Sequence, residues 1–202
     1  MKGSSTKNIS AKAFLLLTIS FNICINSSLA IDYGAQKAST EFIKTSCSKT
    51  IYPSLCFTSL SSYTDAIQTS PRLLAQTALS VALDQVVSTS AAMLRLSKAP
   101  GMMPREVGPM NDCLEELTDS IDELKRSMGE MSQLNGSPNY ALLISDIQTW
   151  VSAALTDEDT CMDGFAGKAG NTKNVVRGRI LNVAHLTSNA LALINNYNSL
   201  HG

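Results

Sequence analysis

Histidine, proline, glycine, aromatic residues and clustered positive charge are all scarce in this chain, and each shortage removes a class of function. Two histidines among 202 residues, His185 and His201, leave little for a metal centre or for acid–base catalysis. Neither stands in the Glu-x-x-His pattern of di-metal carboxylate bundles, and no Cys-x-x-Cys spacing offers a zinc or redox site. His185 falls between the apolar positions Val183 and Thr187, which places it on a solvated helix face. Six prolines, eleven glycines and 5% aromatics point away from an all-β fold. Sixteen Lys and Arg residues without a basic cluster argue against nucleic acid as a partner. The segment Gly164-Phe-Ala-Gly-Lys-Ala-Gly170 lacks the spacing and the preceding strand of a phosphate loop, and reads as a helix-ending turn. No catalytic residue, metal site, cofactor or small-molecule substrate is expected.

What is present begins with an N-terminal targeting pattern. Lys2, Lys7 and Lys12 precede the mostly apolar run Ala13–Phe21, and Ser28-Leu29-Ala30 supplies a small-x-small cleavage site. Those are the three parts of a secretory signal peptide, expected over residues 1–30. Asn22, Asn26, Ser27 and Ser28 interrupt the run well short of the ~20 residues a membrane span needs, so no membrane partner is expected after its removal. Cleavage would leave residues 31–202, with 13 basic against 17 acidic side chains and a net charge of −4. Cys24 leaves with the signal, and an even set of four cysteines in a secreted chain argues for disulfides.

Four segments carry apolar residues in alternating steps of three and four, the mark of a buried helical stripe. From Pro71 to Lys98 the stripe is Leu79, Ala82, Val86, Thr89, Met93 and Leu96. From Pro104 or Pro109 to Met131 it is Met110, Leu114, Leu117, Ile121, Leu124, Met128 and Met131. From Asn139 to about Phe165 it is Leu143, Ile147, Trp150, Ala154 and Cys161, and from Lys173 to Tyr197 it is Val176, Ile180, Val183, Thr187, Ala190, Ile194 and Tyr197. Breakers at Ala99-Pro-Gly101, Asn135-Gly-Ser-Pro138 and Gly167–Asn171 separate the segments. Long helices on short loops predict an all-α, up-down-up-down four-helix bundle over residues 71–198.

Turn symmetry then pairs the cysteines. Residue 137, inside the Asn135–Pro138 turn, is the midpoint of Cys113 and Cys161, so two antiparallel helices would bring these residues level. Cys47 and Cys56 are likewise symmetric about Ile51 and Tyr52, beside Pro53, which predicts an N-terminal helical hairpin over residues 31–66 closed by its own bridge. Loop closure assigns ~3 kcal/mol to the short loop and ~4 kcal/mol to the long one. Asn135-Gly136-Ser137 is also a glycosylation sequon, with Pro138 directly after it.

Two surface features bear on binding. Between Arg72 and Arg95 the sole charged residue is Asp84, so the face Thr77, Val81, Asp84, Ser88 and Ala91 is poor in charge. Interface cores share that depletion. The runs Glu115-Glu116 with Asp119, Asp122 and Glu123, and Asp157-Glu158-Asp159 with Asp163, read as solvated helix faces, and the core stripes hold no inward ionisable cluster.

The pieces Tyr52-Pro53-x-x-Cys56, Asp112-Cys113-Leu-Glu-Glu-Leu117, Trp150-Val-Ser-Ala-Ala-Leu-Thr156 and Thr160-Cys161-Met-Asp-Gly-Phe165 together resemble the plant invertase/pectin methylesterase inhibitor family. The resemblance spans the whole chain after the signal. It implies an inhibitor domain over residues 31–202, a helical bundle with two disulfides, no enzymatic activity, and an extracellular, cell-wall setting. The Pro-Lys-Phe motif typical of invertase inhibitors is absent; Met103-Pro-Arg-Glu-Val-Gly-Pro109 stands there instead. That favours pectin methylesterase over acid invertase as the target, bound one to one across its substrate cleft and more tightly in mild acid. The low-charge face (Thr77, Val81, Asp84, Ser88) is expected in the contact, with Glu116, Asp119 and Glu123 as a steering rim.

Overall fold

A computed structural model describes residues 34–166 and 171–200; the expected signal peptide lies outside them. The described residues are helical, with no strand among them. Helix α1 (34–47) leads into a turn and then α2 (Pro53–Leu60). A 3₁₀ turn (Ser61–Tyr63) and the short α3 (Thr64–Ile67) follow. The four long helices are α4 (Pro71–Ser97), α5 (Pro104–Gln133), α6 (Tyr140–Asp163) and α7 (Asn171–Ser199). Each packs on the next and α7 packs back on α4, which closes a four-membered ring.

The helix ends follow local chemistry. Ser70 caps α4, its Oγ accepting from the Leu73 N–H at 3.3 Å, and Pro71 supplies a first residue whose missing donor costs nothing there. Pro104, not Pro109, starts α5, because the Glu106 carboxylate reaches back to the Met103 N–H at 3.0 Å. Pro109 lies inside that helix. Gly101 (φ +102°) and Gly136 (φ +67°) occupy left-handed conformations in the turns after α4 and α5, where a side chain would be strained. By length and composition α4 could cross a membrane, but here its stripe is buried among the other bundle helices.

The stripes of α4 and α7 lie where the periodicity puts them, although Leu96 is half-buried. That of α5 is corrected by one residue at every second position: the buried line is Met110, Cys113, Leu117, Ser120, Leu124, Ser127 and Met131. Leu114, Ile121 and Met128 flank it, half-buried against the core. On α6 the buried residues are Ile144, Ile147, Val151, Ala154, Glu158 and Cys161, with Leu143 and Trp150 moved to the flank. The α5 and α6 stripes thus take two serines and a glutamate where apolar side chains are expected.

Cys113 and Cys161 are bonded between α5 and α6, and Cys47 and Cys56 between α1 and α2, the pairing that turn symmetry predicts. The hairpin is pinned to α7 by the amide of Asn189. Its Oδ1 accepts from the Tyr52 N–H at 3.1 Å and its Nδ2 donates to the Tyr52 carbonyl at 3.0 Å. His185 is corrected here: one turn before Asn189, it stacks on the Tyr52 ring at 3.6 Å, half-buried under the hairpin instead of solvated.

Candidate functional site

Helix α4 presents the charge-poor face. Asp84 and Ser88 are exposed, whereas Thr77 and Val81 are half-buried, and Val81 packs against the core. Thr77 donates its hydroxyl to the Leu73 carbonyl at 2.7 Å, which leaves its methyl to the surface. It lies in a shallow groove with Tyr63, Leu73, Gln76, Ser80 and Met128, so this end of α4 borders α5 and the 3₁₀ turn. Seven residues on, Asp84 and Val87 continue the strip from Thr77 and Ser80. Val87 and Leu94 are 46% and 45% exposed, which adds apolar area to a face already short of charge.

Acidic residues line the joint between α5 and α6. Glu115, Asp119 and Asp122 are exposed on α5, with Asp122 paired to Lys125 at 3.1 Å. Glu116, Glu123 and Asp157 are half-buried in the seam, so the solvated reading of the acidic runs holds for their outer members alone. Burial and then the neighbouring Asp157 push the Glu123 carboxyl up to about 7. Asp157 is raised by burial, against a hydrogen bond from Glu123 that lowers it. Glu123 Oε2 and Asp157 Oδ2 are buried and find no donor among the described residues, so a proton on Glu123 supplies the hydrogen bond between the two groups. Glu116 is also raised, by burial first and Asp157 second. This pair keeps a proton that exposed carboxylates give up in mild acid.

Sequence reasoning missed a second neutral face. On α6, Ser145, Gln148, Thr149, Ser152, Ala153 and Thr156 line an open shallow groove. Thr149 and Thr156 each donate to the carbonyl four residues back, at 2.8 and 3.0 Å, so the face shows methyl groups as well as hydroxyls. Asp146 is the sole charged residue from Tyr140 to Thr156, a shortage as readable as that on α4. In the ring, α5 stands between α4 and α6, and its acidic outer side separates the two neutral faces.

The remaining sequence candidates are placed as follows. Asn135 is exposed in the turn after α5, beside Gly136. All four cysteines of the two bridges are buried. Among the described residues no group of three or more His, Cys, Asp or Glu side chains is arranged to hold a metal. Glu158 corrects the solvated reading of the Asp157-Glu158-Asp159 run: it is fully buried on α6.

A family model described as plant invertase/pectin methylesterase inhibitor matches residues 41–193. A Daucus carota protein called 21 kDa protein is 44% identical over 191 residues, which cover 92% of this chain and 99% of the relative. Pectinesterase inhibitor 11 of Arabidopsis thaliana is 42% identical over 194 residues, covering 94% of this chain and 96% of the relative. Among solved structures, a mutant form of a pectin methylesterase inhibitor from Arabidopsis shares the fold, with a TM-score of 0.60 and 23% identity over 74% of this chain and 92% of that one. Bundle, bridges and family model converge, and the chain belongs to the plant invertase/pectin methylesterase inhibitor family.

Proposed function

We propose that the protein is a secreted inhibitor of plant pectin methylesterase that binds the enzyme one to one and covers its substrate cleft. The observation that carries this reading is full-length likeness to relatives named pectinesterase inhibitors, at 42% and 39% identity over more than nine-tenths of this chain. The missing Pro-Lys-Phe motif supports the same target.

The surface suits such a role. A partner lying across α5 would touch the neutral faces of α4 and α6 and would cover the Glu123–Asp157 pair between them. Covering two ionised carboxylates strands charge in a poor dielectric, whereas a pair that retains a proton is cheaper to desolvate. Mild acid therefore favours the covered state, and Glu115, Asp119 and Asp122 outside the pair steer a positively charged partner at longer range.

The test is two enzyme assays run side by side, demethylation of pectin by a plant pectin methylesterase and sucrose hydrolysis by an acid invertase. The expected result is loss of methylesterase activity with invertase unaffected, and the methylesterase block should weaken from about pH 5 to about pH 8 as the seam ionises. Invertase inhibition without methylesterase inhibition reverses the assignment within the family.

A further inference from the structure

Glu158 has no role in the surface described above, and its surroundings are unusual for a carboxylate. It is 0% exposed, at the centre of the bundle. Its Oε1 accepts from the Ser120 hydroxyl of α5 at 3.0 Å and from the Thr187 hydroxyl of α7 at 2.9 Å. One side chain of α6 is thereby tied to both neighbouring helices. Its Oε2 is buried and has no partner among the described residues.

The facing groups offer no counter-charge. Ser120 and Thr187 are neutral, and the one charged side chain of α4 between Arg72 and Arg95 is the exposed Asp84. On α7, Arg177 and Arg179 are exposed and His185 is turned towards Tyr52. On α5, Glu116 and Glu123 face Asp157 in the outer seam, where Asp119 adds repulsion and the Arg126 guanidinium offsets part of it at Glu123. The charges that act on Glu158 are Asp159 and Asp157 of its own helix, and both repel an anion. An unpaired buried ion is costly, and a group in that position neutralises instead. Burial accordingly pushes the Glu158 carboxyl up to about 8, against the two hydroxyl hydrogen bonds that lower it.

The geometry points to a proton-held seam, in which Glu158 on the inside and the Glu123–Asp157 pair on the outside bind α6 to its neighbours most firmly while protonated, so that the bundle itself loosens along α6 as the medium turns alkaline. This is a property of the free protein and does not depend on the inhibitor reading. The sign follows from proton linkage. A carboxyl whose folded pKa lies above its unfolded value holds a proton in the folded state that the unfolded chain has released. Its stabilisation is complete below the unfolded value, about 4.5, and is lost as pH rises through the folded one. Within that window one such proton lowers the folded-to-unfolded ratio by up to about tenfold per pH unit.

Trp150, the one tryptophan of the chain, lies on α6 with the Arg126 guanidinium of α5 at 4.9 Å from its ring, and its fluorescence reports the seam directly. Urea unfolding of the intact, disulfide-bonded protein would be followed by that signal and by far-ultraviolet circular dichroism between about pH 5 and about pH 9. The parent midpoint should fall steadily across the range. Glu158→Gln, which keeps the shape and stays neutral, should match the parent in acid, exceed it at the alkaline end and show a flatter profile. Infrared spectra of the folded parent should retain a protonated carboxyl band near neutrality, where exposed carboxyls have ionised. A parent midpoint independent of pH, a Glu158→Gln profile parallel to the parent's, or absence of that band near neutrality would each overturn the proposal. Should the variant fail to fold, the parent profile and the infrared band decide.

Discussion

Replacing Cys113 and Cys161 together by alanine is expected to cost about 4 kcal/mol of stability, from the loop entropy of a bridge spanning 48 residues. Against a typical total of about 5–15 kcal/mol, that leaves the bundle marginal at best. The bridge lies in the same α5–α6 joint as Ser120, Glu123, Asp157 and Glu158, so its loss falls on a part of the core that also holds buried polar groups. Both cysteines are buried, and truncating them also leaves a small void. The corresponding change at Cys47 and Cys56 removes a bridge across a separation of nine residues and should cost less, with its effect confined to the hairpin. Urea unfolding of the two double variants gives the comparison. A larger loss at Cys47 and Cys56 than at Cys113 and Cys161 contradicts the view that the α5–α6 staple carries the bundle.

Asp84→Arg and Ser88→Trp should each weaken methylesterase inhibition by about 2 kcal/mol, roughly 30-fold, if the α4 face lies in the contact. Both side chains are exposed, so the unfolding midpoint should stay at the parent value. That separation matters because the neighbouring positions are less clean. Thr77→Trp must pack into the groove beside Tyr63 and Met128, and Val81→Arg must lift a half-buried side chain from the core. These two changes would weaken inhibition as well but with a stability component. Variants at Asp84 and Ser88 that inhibit like the parent would move the contact off α4 and onto the α5–α6 side of the bundle.

The sequence showed the bundle because helical periodicity is strong over segments of 24 to 30 residues and because breakers mark every turn. Mainly apolar stripes, as on α7 where Thr187 is the one polar member, are readable to the residue. Where polar side chains enter the core the pattern misled. Ser120 and Ser127 occupy buried positions that an apolar count skips, so periodicity draws the α5 stripe through Leu114, Ile121 and Met128 on its flank. Glu158 stood between Asp157 and Asp159 and looked like one more solvated acid. Its burial depends on which face α6 turns inward, a tertiary fact that Cys161, three residues on and already assigned inward, could have signalled. The position of His185 was hidden for a similar reason, since a hairpin more than 130 residues earlier covers it. The α6 neutral face is readable from its missing charges, but its charge-poor run, Tyr140 to Thr156, is shorter than that between Arg72 and Arg95 on α4.

Pectin methylesterase kinetics over a range of pectin concentrations, with and without the protein, test the central claim most directly. A protein that covers the substrate cleft should raise the apparent KM for pectin in proportion to inhibitor and leave kcat unchanged. A fall in kcat that saturating pectin fails to relieve, with KM unchanged, would contradict occlusion of the cleft.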